Sequence, residues 1–245
     1  MVWPEGPLIL GNFVERLHRF GAFVKVGGRM EYCHVTNSGR LRELLTPGAK
    51  VALVDHGEKS KRKPEGGGLP RKTRYAVRLA SYHGKWVCIE ANIAPKLLRE
   101  AWQAKRITEL QGYDRLRAEV PLNAHTRFDF LAENSRTGAK AWIEVKCVTL
   151  VDEKGAAWFP DAPSDRASKH LRELMALAKK PKTKCFVFFV LQNPFGRSVS
   201  PKESTDPVFA KTLRQAARSR VILKALRAEV GLKSARIEKH VPVGL

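Results

Sequence analysis

The longest unbroken apolar run, C-F-V-F-F-V-L at residues 185–191, constrains the fold more than any other segment. It is far too short to span a bilayer. The run therefore predicts an apolar strand over residues 184–191. Helices are predicted before it, over residues 164–178, and after it, over residues 206–218. This pattern indicates an α/β domain with a mixed sheet.

The preceding segments extend the same pattern. Residues 95–106 combine a proline in the first turn with apolar residues at helical spacing, which predicts a helix. Short strands are predicted around residues 118–120, 127–132 and 141–149, and a last strand at residues 220–225. We assign residues 92–245 to this α/β domain.

The first part of the chain has a different character. Alternating residues predict a hairpin with strands at 19–26 and 30–35. Further strands are predicted at residues 50–55, 71–82 and 85–90, with a brief helix-like piece at residues 41–45. Five short strands of this kind indicate a small OB-type β-barrel, and we assign it residues 1–91.

A Pro- and Gly-containing segment, residues 57–72, connects two of the barrel strands. OB barrels use loops of this kind to grip nucleic acid, so we predict contact through its cations. Solvated surface is the alternative. These cations are Lys59, Lys61, Arg62, Lys63, Arg71 and Lys72.

The charge of the chain indicates a polyanionic partner. Lys and Arg number 45 against 24 Asp and Glu, which gives a formal net charge of +21. Nucleic acid is the favoured partner because neutralising its phosphates supplies affinity regardless of sequence. DNA is preferred, and RNA is the alternative. A generally basic proteome, ribosomal RNA or an anionic membrane would also explain the charge.

Cysteine spacing and the N-terminal sequence bear on location. The 4 cysteines lie far apart, with no C-x-x-C pair, so we expect reduced thiols rather than disulfides or a zinc site. The first residues do not resemble a signal peptide. We therefore expect a cytoplasmic protein without a membrane partner, and the oligomeric state stays open.

The strand at residues 141–150, A-W-I-E-V-K-C-V-T-L, carries an acid and a base on one face. Side chains alternate along a strand, so Glu144 and Lys146 point away from their apolar neighbours. In a hairpin, Asp129 of the preceding strand can converge with Glu144. Two carboxylates there would suit Mg²⁺ or Mn²⁺, with Lys146 beside the attacking water. A chance surface ion pair between Glu144 and Lys146 is the alternative.

This arrangement of Asp, then Glu-x-Lys on the next strand, resembles the PD-(D/E)xK nuclease superfamily. The resemblance implies that Asp129, Glu144 and Lys146 are catalytic and that Asp129 and Glu144 bind the metal. Glu119 lies shortly before Asp129 and is a candidate further ligand, direct or through water. An exposed glutamate at the end of a helix or strand is the alternative.

The predicted helix at residues 164–178 adds two candidate phosphate contacts. Arg166 and His170 are four residues apart and share a helix face, so both could bind nucleic acid if that face borders the metal. Alternatively, Asp161 caps the helix or pairs with Arg166, and His170 bonds Glu173.

Several segments together resemble the sugar fermentation stimulation protein A family. They are T-N-S-G-R-L (residues 36–41), L-L-T-P-G (44–48), E-L-Q-G-Y (109–113), the R-F-D-F and W-I-E-V-K-C-V-T-L strands, and W-F-P-D-A-P-S-D-R-A-S-K-H-L-R-E-L (158–174). The resemblance implies an OB-type domain followed by a restriction-endonuclease-like domain. It also implies a DNA-binding protein linked to regulation of sugar-utilisation genes.

These features favour a largely sequence-nonspecific DNA-binding protein with Mg²⁺- or Mn²⁺-dependent nuclease activity. A non-catalytic DNA- or RNA-binding module on the same scaffold is the alternative. No helix-turn-helix pattern for reading bases is visible in the sequence.

Overall fold

Two six-stranded sheets organise the chain in a computed structural model that describes residues 8–57 and 73–245. The first sheet closes into a barrel, and the second carries helices on both faces. The predicted boundary between residues 91 and 92 lies between the last barrel strand and the first helix.

The barrel confirms the predicted OB-type fold. Its strands are β1 (Leu8–His18), β2 (Gly21–Val26), β3 (Arg29–Val35), β4 (Lys50–Asp55), β5 (Tyr75–Tyr82) and β6 (Lys85–Cys88). Strand β1 pairs antiparallel with both β2 and β4, and β4 pairs with β5. The parallel pairing of β3 with β5 closes the barrel, so none of its five main strands leaves a free edge.

The structure adds to the barrel predicted from the sequence at two points. Strand β1 is absent from the predicted strands, because two register shifts and exposed apolar residues such as Leu10 and Leu17 obscure its alternation. The predicted strand at residues 85–90 is present as β6 and pairs with β5, but it extends β5 as a hairpin outside the five strands that close the barrel. The helix-like piece at residues 41–45 is a single turn, closed where the Leu45 N–H donates to the Leu41 carbonyl.

The second domain contains the predicted mixed sheet. Its elements are α1 (Ile93–Gln103), β7 (Arg115–Asn123), β8 (Thr126–Glu133), β9 (Lys140–Val148), β10 (Ala156–Phe159), α2 (Asp165–Leu177), β11 (Thr183–Leu191), β12 (Ser198–Pro201), α3 (Pro207–Arg218), β13 (Val221–Val230) and β14 (Ala235–Val241). The sheet order is β14-β13-β11-β9-β8-β7. Strands β9, β11 and β13 are parallel, and the outer pairs are antiparallel.

Strand β11 lies in the interior of this sheet, as its apolar sequence predicts. Phe186 and Phe188 pack in the core that includes α1, whereas Val187 and Phe189 pack in the core that includes α2 and α3. A strand covered on both faces needs apolar residues at every position, which explains the unbroken run.

The sequence did not reveal three short or polar strands. Strands β10 and β12 form a separate two-stranded parallel sheet of four residues each. Strand β14 lies at the sheet edge and exposes most of its polar side chains. Strands of four residues are too short to show a period, and the alternation in β14 stops after Ile237.

Buried contacts join the barrel to the second domain. The Gln192 carbonyl accepts a hydrogen bond from the Cys88 N–H, and the Gln192 side chain donates to the carbonyls of Cys88 and Glu90. Leu79 of the barrel is fully buried in the same core as Phe188. The two domains therefore share part of one hydrophobic core.

Some sequence predictions concern residues outside this description or general properties of the chain. The predicted basic contacts Lys59, Lys61, Arg62, Lys63, Arg71 and Lys72 lie outside the described residues. All four cysteines are free thiols. Within residues 8–57 and 73–245, no helix combines the length and hydrophobicity needed to cross a membrane.

Because Leu79 packs in the shared core, we expect Leu79→Ala to lower the free energy of unfolding by about 2–5 kcal/mol. Urea denaturation followed by circular dichroism measures this change. Val208→Ala is the control, since Val208 is 54% exposed and should change stability by less than about 0.5 kcal/mol. Equal stability of the two variants would contradict a shared core.

Candidate active site

A cleft of about 370 Å³ lies between the barrel and the second domain. It brings together Asp129, Glu144 and Lys146, the three residues that the sequence placed on adjacent strands. Arg166 of α2 lines the same cleft, and the barrel contributes Arg19. Asp129, Glu144 and Lys146 therefore face one space, as the predicted hairpin requires. Arg166 faces the same space from α2.

Alternation along β9 separates packing residues from cleft residues. Ile143 and Val145 belong to the core that includes α1, whereas Glu144 and Lys146 face the side of α2. The sequence suggested an open face for these two charges. In the structure α2 covers that face, and Glu144 is only 4% exposed.

The Glu144 carboxylate is held through one of its two oxygens. Glu144 Oε1 lies 2.5 Å from Lys146 Nζ and 2.8 Å from His170 Nδ1. Glu144 Oε2 is buried and has no hydrogen-bond partner within the described residues. A buried carboxylate oxygen without a partner is costly, which suits a site that receives a cation or a ligand.

Asp129 reaches β9 through a break in regular strand pairing. Pairing between β8 and β9 ends at Phe130 and Ile143, and Asp129 Oδ2 instead accepts a 2.6 Å hydrogen bond from the Val145 N–H. Phe128 and Phe130 are two apart but pack in the cores on opposite faces of the sheet. The strand therefore twists at Asp129, which turns its carboxylate towards Glu144.

The two carboxylates differ in their electrostatics. Burial raises the pKa of Asp129 to about 7, and repulsion from Glu144 adds to the rise. Burial would also raise the pKa of Glu144, but the charge of Lys146 and the hydrogen bond from His170 outweigh it and hold that pKa below its ordinary value. Near neutral pH the site therefore contains one firmly ionised carboxylate and one that is partly protonated.

His170 does not take the position predicted for a phosphate contact. Its side chain is 2% exposed and is enclosed between Glu144, Phe128 and Arg166. Arg166 Nε donates to His170 Nε2 at 3.4 Å, so His170 Nδ1 carries the proton donated to Glu144. His170 orients Glu144, whereas Arg166 is exposed on the cleft wall and remains open to a ligand.

Helix α2 is anchored at both sides of His170. Its predicted start is confirmed, since the Ser164 hydroxyl accepts from the Ala167 N–H and the Ser164 N–H donates to Asp206. Glu173 accepts a hydrogen bond from the Thr126 hydroxyl at 2.7 Å, rather than bonding His170. These bonds fix the register of α2 against β8, and with it the position of His170.

Glu119 lies on β7. Its neighbours Ala118 and Val120 pair with Phe130 and Phe128, the two residues that flank Asp129 on β8. Its backbone has a φ of +53°, and its exposed side chain lies 3.9 Å from Arg127. No group of three or more His, Cys, Asp and Glu side chains suited to a metal occurs in the described part of the chain. Glu119 adds to the negative charge that acts on Asp129, and its role as a metal ligand, direct or through water, stays a prediction.

The barrel supplies the opposite wall of the cleft through the turn at residues 37–39. The Gly39 N–H donates to Asn37 Oδ1, and Asp161 Oδ2 accepts from the Leu41 N–H at 2.8 Å. A Cβ at Gly39 would lie 2.9 Å from the Asp161 carboxylate, so any larger residue here would force Asp161 to move. Asp161, expected to cap α2 or pair with Arg166, instead binds the barrel.

Arg16 holds this turn in place from within the barrel. Its guanidinium donates to the carbonyls of Arg19, Asn37, Gly39 and Arg40. Sequence reasoning missed Arg19 and Asp161 as cleft residues and Arg16 as the support of the turn, because these roles depend on contacts between segments far apart in the chain.

Comparison with known proteins agrees with both halves of this architecture. Residues 14–89 match the SfsA N-terminal OB domain, and residues 92–234 match the sugar fermentation stimulation protein RE domain. This chain belongs to the sugar fermentation stimulation protein family. The predicted resemblance is thereby confirmed.

Relatives and a solved structure match over nearly the whole chain. A homologue from Desulforamulus reducens is 39% identical over 100% of this chain and 95% of its own length. One from Geobacter sulfurreducens is 35% identical over 99% of this chain and 98% of its own. The solved structure of Pyrococcus furiosus SfsA in complex with Ca²⁺ is 28% identical, with a TM-score of 0.83, covering 98% of this chain and 96% of that one.

The raised pKa of Asp129 predicts a stability change with pH in buffer containing EDTA. The pKa of Asp129 is about 7 in the folded protein, against 3.8 for an ordinary aspartate. Its protonation therefore stabilises the fold fully below pH 3.8, and this stabilisation is lost as the pH rises to about 7. Asp129→Asn should therefore gain stability relative to the parent between pH 4 and 7, by at most about 1.4 kcal/mol per unit, and then level off.

Urea denaturation at several pH values measures this difference. Asp114→Asn is the matched control, because a hydrogen bond from Ser135 lowers the pKa of Asp114 and no gain is expected there. A constant difference between parent and Asp129→Asn across pH 4 to 7 would show that Asp129 is not perturbed.

Proposed function

We propose that this protein is a divalent-cation-dependent phosphodiesterase that cleaves DNA with little sequence specificity. The observation that carries the proposal is the shared cleft of Asp129, Glu144 and Lys146, in which Glu144 Oε2 is buried without a partner in the described residues. A cation beside these oxygens would satisfy that atom and offset the burial and the repulsion from Glu144 that raise the pKa of Asp129.

The donor set fits a hard divalent cation. Two carboxylates, Asp129 and Glu144, border one space, and Mg²⁺ is commonly held by one or two carboxylates together with water and substrate phosphates. Mg²⁺ or Mn²⁺ is the proposed cofactor. The Ca²⁺ in the Pyrococcus furiosus relative supports a divalent cation, since Ca²⁺ also prefers oxygen ligands.

Each cleft residue has a proposed part. When bound, the cation would polarise the phosphate and stabilise charge on the leaving oxygen. Lys146, 13% exposed, would hold the attacking water. His170 would keep Glu144 Oε1 engaged so that Oε2 faces the cation, and exposed Arg166 would bind a phosphate oxygen. Glu119 would supply a further ligand to the cation, directly or through water.

The substrate is proposed from charge. A net charge of +21 attracts a phosphate backbone, and the cations of residues 57–72 would add contacts outside the described structure. DNA is the proposed nucleic acid, and the cytoplasm is the proposed location. A role in sugar-utilisation genes, which the family name suggests, would rest on the same DNA binding.

Cleavage of labelled single-stranded, duplex and branched DNA tests the proposal. With Mg²⁺ or Mn²⁺ we expect cleavage that EDTA abolishes. Asp129→Asn and Lys146→Gln should each slow cleavage at least about 100-fold, because they remove a cation ligand and the group that holds water.

Lys184→Gln is the matched control, since it removes the same charge from an exposed position on neighbouring β11 and should cut at the parental rate. Absence of metal-dependent cleavage on all three substrates would refute the nuclease proposal. Equal cleavage by the parent and both site variants would assign the activity to a contaminant.

Binding without cleavage is the second candidate, favoured by the +21 charge alone. It predicts that log K falls steeply with log salt and that Glu144→Gln binds DNA as tightly as the parent. Fluorescence anisotropy across a salt series measures both. Competition between matched DNA and RNA oligonucleotides then identifies the preferred nucleic acid, and a salt slope near zero would exclude phosphate binding.

A further inference from the structure

A group of exposed and half-buried rings lies on the outer face of the barrel, around β1, β2 and β3. Phe20 and Tyr32 are 44% and 40% exposed, which is unusual for aromatic side chains in a small barrel that needs them for its core. We name this group the ring surface, and its members are His18, Phe20, Phe23, Tyr32 and His34.

Strand geometry places the rings side by side. Phe23 and Tyr32 are directly paired across β2 and β3, on the face opposite the barrel core, and their rings meet edge to face at 5.9 Å. Gly21 lies beside them without a side chain, and a Cβ there would collide with Tyr32 and His18. The bond between His18 Nε2 and the Tyr32 hydroxyl, 2.9 Å long, passes over this glycine.

Hydrogen bonds hold the remaining rings without burying them. His34 Nδ1 donates to the Phe20 carbonyl at 3.0 Å, and the two rings stack with 6.2 Å between centroids. The Phe20 N–H donates to His18 Nδ1. The ring surface is thus held in position in the absence of any ligand, which lowers the entropy cost of binding one.

A basic groove connects the ring surface with the candidate active site. The residues that line it include His18, Arg19, Arg40 and Arg42. It continues into the cleft of Asp129, since Arg19, Ser38, Gly39, Ala162 and Pro163 line both depressions. Aromatic rings, cations and carboxylates therefore follow one another along a single path.

We propose that this path binds single-stranded nucleic acid, with bases stacked on the ring surface and the backbone led along the basic groove to the carboxylates. Stacking on protein rings requires bases with free faces, which a duplex does not offer, whereas cations accept any phosphate backbone. The proposal rests on the proposed function and specifies its substrate class.

A protein partner is the competing occupant, because Met30 and Leu17 add exposed apolar area on the same side of the barrel. Nucleic acid is favoured by the groove, whose arginines complement phosphate, and by its continuity with the carboxylates. An apolar protein interface would need neither feature.

Anisotropy with three labelled probes of equal length tests the proposal: a single strand, its duplex, and an abasic single strand. The parent should bind the single strand at least about tenfold tighter than the abasic strand. The Phe20→Ala/Tyr32→Ala variant should lose that preference, while its affinity for duplex and abasic strands stays unchanged.

Two variants control for folding and for loss of apolar area. Met30→Ala removes a side chain that is 56% exposed on the same face and should keep the parental preference. Tyr32→Phe keeps the ring but loses the hydrogen bond to His18, and it should also keep the parental preference for the base-containing strand. Circular dichroism and thermal melting confirm that all variants fold.

Equal binding of the base-containing and abasic strands by the parent would overturn the proposal, as would an unchanged preference in the double variant. Concentration-dependent dimerisation that the double variant abolishes, without any change in binding, would assign the surface to a protein interface. Asp129→Asn separates the two proposals. If this variant loses cleavage but keeps its preference for the single strand, its defect lies at the carboxylates and not at the ring surface.

Discussion

The hydrogen-bonded Glu144 carboxylate is the interaction on which the site depends. Glu144 is buried by α2, and a carboxylate in that position is tolerated only because Lys146 and His170 share one of its oxygens. That arrangement leaves Oε2 unpartnered within the described chain, in a residue that lines the same cleft as Asp129. Helix α2 must therefore lie in one register, which Ser164 and Asp206 secure at its start.

The barrel contributes to the same site rather than merely adjoining it. The turn at residues 37–39 closes one wall of the cleft, and Asp161 of the second domain binds the Leu41 N–H across the domain contact. Gln192 and the shared apolar core hold the two domains together at another point. A substrate in the cleft would touch both domains, so recognition by the barrel and chemistry at β9 are spatially coupled.

Local sequence patterns were sufficient where packing follows a simple period. The bounds of α2, the apolar β11 and the alternation of Glu144 with Ile143 all follow from helical or strand spacing. The patterns failed where the chain is irregular. Strand β1 contains register shifts, β10 and β12 are very short, and β14 is a polar edge.

By itself the sequence determined the fold class, the family resemblance and the three residues at the centre of the candidate site. Only the tertiary structure decided what surrounds them. Burial by α2 made His170 a support for Glu144 instead of a phosphate contact, and a twist between Phe128 and Phe130 turned Asp129 towards it. These outcomes depend on contacts between segments far apart in the chain, whose desolvation and charge no local spacing can encode.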